Sequence, residues 1–123
     1  DPNRDKAHGG IYRITVKDRP LMAHIKVDGE SIPTLLDLLK HKTYNIRFRA
    51  RVELSERDTD DVIKATQKWL KKNKVASAQL EGLWVHQQHN VVNKELLQSL
   101  LKSSESNARV AAKTVEQFWR DRL

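Results

Sequence analysis

Two histidines three residues apart, His86 and His89, are the first residues whose types and spacing could do chemistry. At i, i+3 on one helix, both imidazoles can reach a single ion of the zinc or iron kind. Such a site needs further donors. The chain has no cysteine, and Glu81 lies more than a helical turn away. A structural role accounts for the same residues, with His86 donating to a backbone carbonyl and Asn90 closing the helix end. No metal site is assigned. Asp58, Asp60 and Asp61 could be read as paired acids, but at a helix start they complement its positive end. Nucleophile, base and orienting group never occur together, so this segment is expected to be non-catalytic and to hold no cofactor.

The basic residues offer a second chemistry. Arg47 and Arg51 share one helix flank, and Lys64, Lys68 and Lys72 stand opposite the apolar stripe of the next helix. Aligned, they would track phosphates, with Trp69, Trp84 and Trp119 available to stack on bases. Glu53, Glu56, Asp58, Asp60 and Asp61 interrupt the run, and all three tryptophans fall on apolar stripes that point to a core. Truncating a buried Trp84 to Ala would then cost about 3–5 kcal/mol. Arg47, Arg51, Lys64, Lys68, Lys72, His86 and His89 form a candidate interaction surface, with nucleic acid as the alternative ligand. His24 and His41 are isolated and read as surface residues.

A chain of 123 residues is one domain with a single modest core. Lys plus Arg is 23 against 16 for Asp plus Glu, a net charge of +7 that suits an anionic partner or a solvated basic face. The absence of cysteine excludes disulfides, cysteine-ligated zinc and covalent c-type haem within the chain. No apolar run nears the ~18 residues of a membrane span, and no signal peptide opens the sequence. The first residue is not Met, which suggests a piece of something longer.

The elements that must position these residues are mostly helical. Ile11–Val16 alternates like a strand, and His24–Val27 is a second short candidate closed by an Asp28-Gly29 turn. These strands could pair with each other, lie on the helices, or belong to the sheet of a preceding domain. From Ser31 the apolar period becomes helical. Ser31, Thr59 and Asn93 read as N-caps, and Val62, Ala65, Thr66, Trp69 and Leu70 give the clearest amphipathic stripe. Leu80, Leu83, Trp84 and Gln87 fall on one face of a fourth helix. Val110, Ala111, Thr114, Val115, Phe118 and Trp119 fall on one face of a sixth. Six helices joined by short turns make three hairpins, roughly 31–57, 58–90 and 91–122. A faint repeat at an offset of 62 relates Leu38-Leu39-Lys40 to Leu100-Leu101-Lys102 and Asn45-x-Arg47-x-x-Ala50 to Asn107-x-Arg109-x-x-Ala112. In it the Asn caps the second helix and the small Ala admits close helix approach. The expected fold is mostly α, a HEAT-like α-α superhelix of three hairpins preceded by one or two short β-strands. A compact six-helix bundle is the alternative. The expected division is an N-terminal extended segment over 1–30 and a HEAT-like domain over 31–123.

At LEGLWVHQQHNVVNKELLQSLLKS, with NARVAAKTVEQFWRDRL and SIPTLLDLLKHKTYNIRFRARVEL, the chain resembles a large family of modular bacterial proteins, membrane-bound dehydrogenases with a haem-binding cytochrome c module. In that family a β-propeller similar to glucose and sorbosone dehydrogenases leads into a HEAT-like helical region, and a Cys-x-x-Cys-His motif lies further along. HGGIYRIT matches the last propeller strand, SIPTLLDLL the first helix after it, and Arg49-Ala50-Arg51 with Leu54 and Glu56-Arg57-Asp58 the arginine-rich second helix. Trp84-Val85-His86-Gln87 followed by His89-Asn90-Val91-Val92 matches the central signature. The resemblance covers about residues 8–123. It implies an exported, periplasmic connector between a dehydrogenase of the PQQ or sugar type and a cytochrome module. Its partners would be neighbouring domains of the parent chain or another protein. No catalytic residue of the family maps onto this segment.

Overall fold

The structure, a computed structural model, describes residues 2–123. It is mostly α, with six helices: α1 (Ile32–Leu38), α2 (Tyr44–Ser55), α3 (Thr59–Lys72), α4 (Ala76–Gln88), α5 (Lys94–Leu101) and α6 (Ser106–Trp119), followed by a 3₁₀ turn over Arg120–Arg122. The first helix of each pair starts on a capping side chain. The Ser31 hydroxyl accepts from the Thr34 N–H, Asp58 Oδ2 from Asp61 N–H at 3.1 Å, and Asn93 Oδ1 from Leu96 N–H at 3.0 Å. The cap of α3 is therefore Asp58. Thr59, expected there, turns its hydroxyl to His89 instead.

Consecutive helices pack as α1 on α2, α3 on α4 and α5 on α6, and α1 also packs on α3. Helix α4 lies at the centre and touches α2, α3, α5 and α6. Its residues from Leu80 to His86, apart from Trp84, are all buried, and a helix enclosed on several sides has no single apolar stripe. Trp84 and Gln87, expected on its core face, are only half-buried. On α6 the inward face is Ala108, Ala112, Val115 and Trp119, while Val110 and Phe118 point to solvent.

Two sets of contacts hold the ends of the helices. At one end Lys40 Nζ donates to Asn73 Oδ1 at 2.8 Å and joins the α1–α2 turn to the α3–α4 turn. At the other end His89 reaches the Leu54 carbonyl and Thr59, and Arg122 reaches Asn90. Asn90 has φ +57°, with its N–H on Gln87 O at 3.0 Å and the Val91 N–H on His86 O at 2.9 Å. This is a left-handed helix stop of the kind asparagine tolerates.

The repeat seen at an offset of 62 is reproduced in the contacts, and the middle hairpin shares it. Arg47 Nη1 donates to the carbonyls of His41 (2.7 Å) and Lys42 (3.0 Å), and Arg109 Nη1 donates to those of Ser103 (2.7 Å) and Ser104 (3.0 Å). Gln79 Nε2 occupies the same place in the second hairpin and donates to the Asn73 and Leu70 carbonyls. Three residues further on stand Ala50, Gly82 and Ala112, all buried. At Gly82 an added Cβ would lie 2.5 Å from Leu70 Cδ2, so the α3–α4 crossing requires the missing side chain. The second helices begin at Thr43, Val75 and Glu105, none of which makes a side-chain cap. Asn45 and Asn107, expected to cap them, sit inside the first turn and accept from no helix N–H; the Arg or Gln serves a different need, donating to the carbonyls of the preceding turn.

The N-terminal segment differs from expectation. Among the described residues there is no strand. Ile11, Tyr12 and Ile14 are 104%, 89% and 97% exposed, and no neighbouring chain segment offers them a ladder. A strand without a hydrogen-bonded partner has nothing to fix its backbone. The Asp28-Gly29 turn does form, with Gly29 at φ +71° and Glu30 N–H on Val27 O. Val27 is buried in the helical core, and Arg57 Nη2 holds the Glu30 carbonyl at 2.9 Å.

Candidate interaction site

His86 is 1% exposed. Its Nδ1–H donates to the Gly82 carbonyl at 2.8 Å, and its Nε2 accepts from Asn93 Nδ2 at 3.2 Å. Asn93 Oδ1 is committed to the α5 cap, which fixes the amide orientation and makes His86 an acceptor at Nε2. Burial disfavours the charged ring and holds the His86 pKa below the ordinary histidine value. The nearby His89 adds to that, and the bond to Gly82 opposes it. His89 Nε2 lies 2.9 Å from the Leu54 carbonyl and Nδ1 lies 3.0 Å from the Thr59 hydroxyl. All four ring nitrogens are thus engaged, three of them between elements and His86 Nδ1 within α4, and no group of three metal-ligating side chains occurs among the described residues.

Arg51, on α2, faces Glu81 on α4. Arg51 Nε lies 3.0 Å and Nη2 2.5 Å from the two carboxylate oxygens, a bidentate pair. Glu81 is 7% exposed. The guanidinium also lies 5.6 Å from the centre of the Trp84 ring. This arrangement explains the half-buried Trp84: it roofs an ion pair and does not fill the core. Trp84→Ala is accordingly expected to cost about 2 kcal/mol, less than a fully buried tryptophan, as read from equilibrium denaturation. A loss above about 4 kcal/mol would mean that Trp84 is enclosed.

The candidate surface residues fall into separate places. Arg47 and Arg51 line a groove between α2 and α4, which the α1–α2 and α3–α4 turns close at one end. Lys68 and Lys72 line a different cleft, between α1 and α3, and Lys64 stands exposed in neither. His86 and His89 are turned into the helix contacts. Asp60 and Asp61 lie one turn before Lys64 on α3, so acids do interrupt the basic residues there. Glu53 and Glu56 lie at the end of α2 and Asp58 caps α3, whereas Lys71 and Lys72 stand at the far end of that 14-residue helix, about 20 Å long, with Lys74 just beyond it.

Glu81 and Asn93 carry more of the site than their sequence signals suggest. The signal for Glu81 is a lone carboxylate between Leu80 and Gly82-Leu83, where burial calls for a cationic partner. Asp37, an exposed carboxylate, also accepts from a distant helix, with Oδ1 2.8 Å from Trp69 Nε1. No family model, no curated protein and no solved structure matches the chain.

Proposed function

We propose that the chain is a HEAT-like helical-repeat connector: a non-catalytic protein-interaction module of a larger exported redox protein, set between a dehydrogenase propeller and a c-type cytochrome. The observation that carries the connector reading is the stretch Ile11–Val16. It alternates like a strand, exposes Ile11, Tyr12 and Ile14 almost wholly and Val16 for the greater part, and has no ladder partner within the described residues. Such a stretch is suited to complete the sheet of another domain. The threefold recurrence of a turn-holding side chain followed three residues later by a small buried residue supports the HEAT-like arrangement.

Two measurements test this. Removing residues 1–21 should change the unfolding free energy by less than about 0.5 kcal/mol, because residues 2–21 add no side chain to the helical core. A larger loss would make it part of the helical body. The gene of the parent protein should encode propeller strands before this segment and a Cys-x-x-Cys-His motif after it. A parent lacking both removes the redox assignment.

Nucleic-acid binding is the second reading, favoured by the separation of the lysine-rich helix ends from the acids. Fluorescence anisotropy with labelled DNA and RNA at about 50 and about 200 mM salt decides it. The connector reading expects weak or no binding. Sub-micromolar affinity with a steep salt slope would replace it.

A further inference from the structure

We infer that the groove between α2 and α4 receives an acidic amphipathic segment of a partner protein. This rests on the interaction-module reading and names the surface and the chemistry of its occupant. The groove has a volume of about 730 Å³, within the range of sites that enclose a ligand or anchor side chains. Leu39, Ala78 and Leu80 give it an apolar floor, and Tyr44, Val75 and Trp84 stand along its sides. It continues along the α2–α4 seam past Arg51 and Trp84 to Gln88.

The outer face of α2 prolongs the apolar surface. Tyr44, Phe48 and Val52 recur at i, i+4, i+8 and are 65%, 49% and 42% exposed, with the first two rings stacked 6.4 Å apart. Val75, across the groove mouth, is 70% exposed. A contiguous row of large apolar side chains in water marks a binding surface more than a solvated helix.

Charge selects the occupant. Lys42 and Arg47 rim the mouth with their charges unpaired by any carboxylate of the lining, while Lys40 beside them is paired with Asp37 at 3.7 Å. The one carboxylate in the lining, Glu81, is neutralised by Arg51. Arg47 spends one nitrogen on the turn carbonyls and keeps its charge. An apolar groove with a cationic mouth suits a helix that presents apolar anchors on one face and carboxylates beside them. The chain's own exposed segment is a poor occupant, because Arg13 and Lys17 flank its apolar residues. A second copy carries the same +7. Single-stranded nucleic acid is less suited: guanidinium groups already lie against Tyr44 and Trp84 at 5.6 Å, and much of the remaining lining is aliphatic.

The test is a titration of the isotope-labelled chain with a synthetic helical peptide of about 18 residues that carries leucines on one face and glutamates elsewhere. Three comparisons accompany it: the same composition scrambled, a lysine-for-glutamate version, and single-stranded DNA. The acidic amphipathic peptide is expected to bind at least about tenfold tighter than either control peptide, with shifts at Tyr44, Phe48, Val75 and Trp84. Tyr44→Ser with Phe48→Ser, and separately Lys42→Glu, should each weaken it about tenfold while the melting curve stays put, since all three side chains are exposed. No binding at about 1 mM peptide overturns the proposal. Equal binding of all peptides, or tighter binding of DNA through the same residues, overturns it too. Peptide binding that the variants leave untouched removes the groove and keeps the interaction-module reading.

Discussion

Replacing Arg51 by Ala is expected to lower the unfolding free energy by about 3 kcal/mol. Glu81 sits 7% exposed on the central helix, and its two oxygens are both taken by the Arg51 guanidinium. The pair itself contributes little net stability, because each ion loses water on burial. Removing one member is different: the carboxylate keeps the cost of burial and loses its counter-charge. Trp84 also loses the guanidinium stacked on it, worth a further ~0.5–1 kcal/mol. Equilibrium denaturation of Arg51→Ala measures the sum. A double replacement, Arg51→Met with Glu81→Leu, should recover most of the loss, because neither side chain then needs solvating. If Arg51→Ala costs less than about 1 kcal/mol, Glu81 reaches water in solution and the pair is a surface one.

Asn93→Ala is expected to cost about 2–4 kcal/mol, from two bonds made by one amide. The cap of α5 accounts for about 1 kcal/mol. The rest is the buried His86 Nε2 left without a donor, about 1–3 kcal/mol. The same geometry sets a pH dependence. The folded ring resists protonation, so its pKa lies below the value near 6.5 that it has when unfolded. The unfolded chain therefore binds the proton first as pH falls. The contribution of neutral His86 is complete above about pH 6.5 and is lost as pH falls toward the lowered folded value. Thermal melts between about pH 8 and about pH 5 should show this decline, and His86→Phe should flatten that part of it. Asn93→Asp keeps a cap acceptor but offers Nε2 an oxygen. That variant should favour the protonated ring and reverse the slope. An unchanged slope would mean that His86 does not meet residue 93 in solution.

Much of the helical layout is legible because its signals are local. Ser31 and Asn93 announce the starts of α1 and α5, and the stripe from Val62 to Leu70 has one buried side and one solvated side. Ile46, Ala50 and Leu54 are buried as their spacing predicts. What escaped depends on neighbours. Helix α4 is packed by four others, so a one-face reading put Trp84 inside and overlooked Glu81 as an enclosed group, whereas His86 meets a backbone carbonyl as its structural role requires. The middle repeat was hidden because Gln79 stands where the other hairpins have Arg, and Gly82 where they have Ala. A backbone carbonyl accepts equally well from an amide or a guanidinium, so contact was kept while residue type changed. Val110 and Phe118 follow the inward period of α6 closely enough to mislead, yet the buried line is drawn by Ala108, Ala112 and Val115. The N-terminal alternation is plain in the sequence, but a strand exists only when another strand is present. The seven candidate surface residues share a sign or a ring type without sharing a place: the fold puts Arg47 and Arg51 in one cleft and Lys68 and Lys72 in another, leaves Lys64 in neither, and turns the histidines into the helix contacts.

The clasps made by Arg47, Gln79 and Arg109 have a bearing on how the chain reaches its native state. Each spans six residues from donor to turn carbonyl. A loop that short closes with little entropy loss, and no other hairpin need be present. Each clasp can therefore close early, leaving Arg51 with Glu81 and His89 with Leu54 to form later across 30 and 35 residues as the pairs pack on one another. Folding governed by such near-neighbour closures is fast for a chain of this size. It also leaves the array open to gaining or losing a whole pair in the course of evolution, because each pair brings its own means of closing.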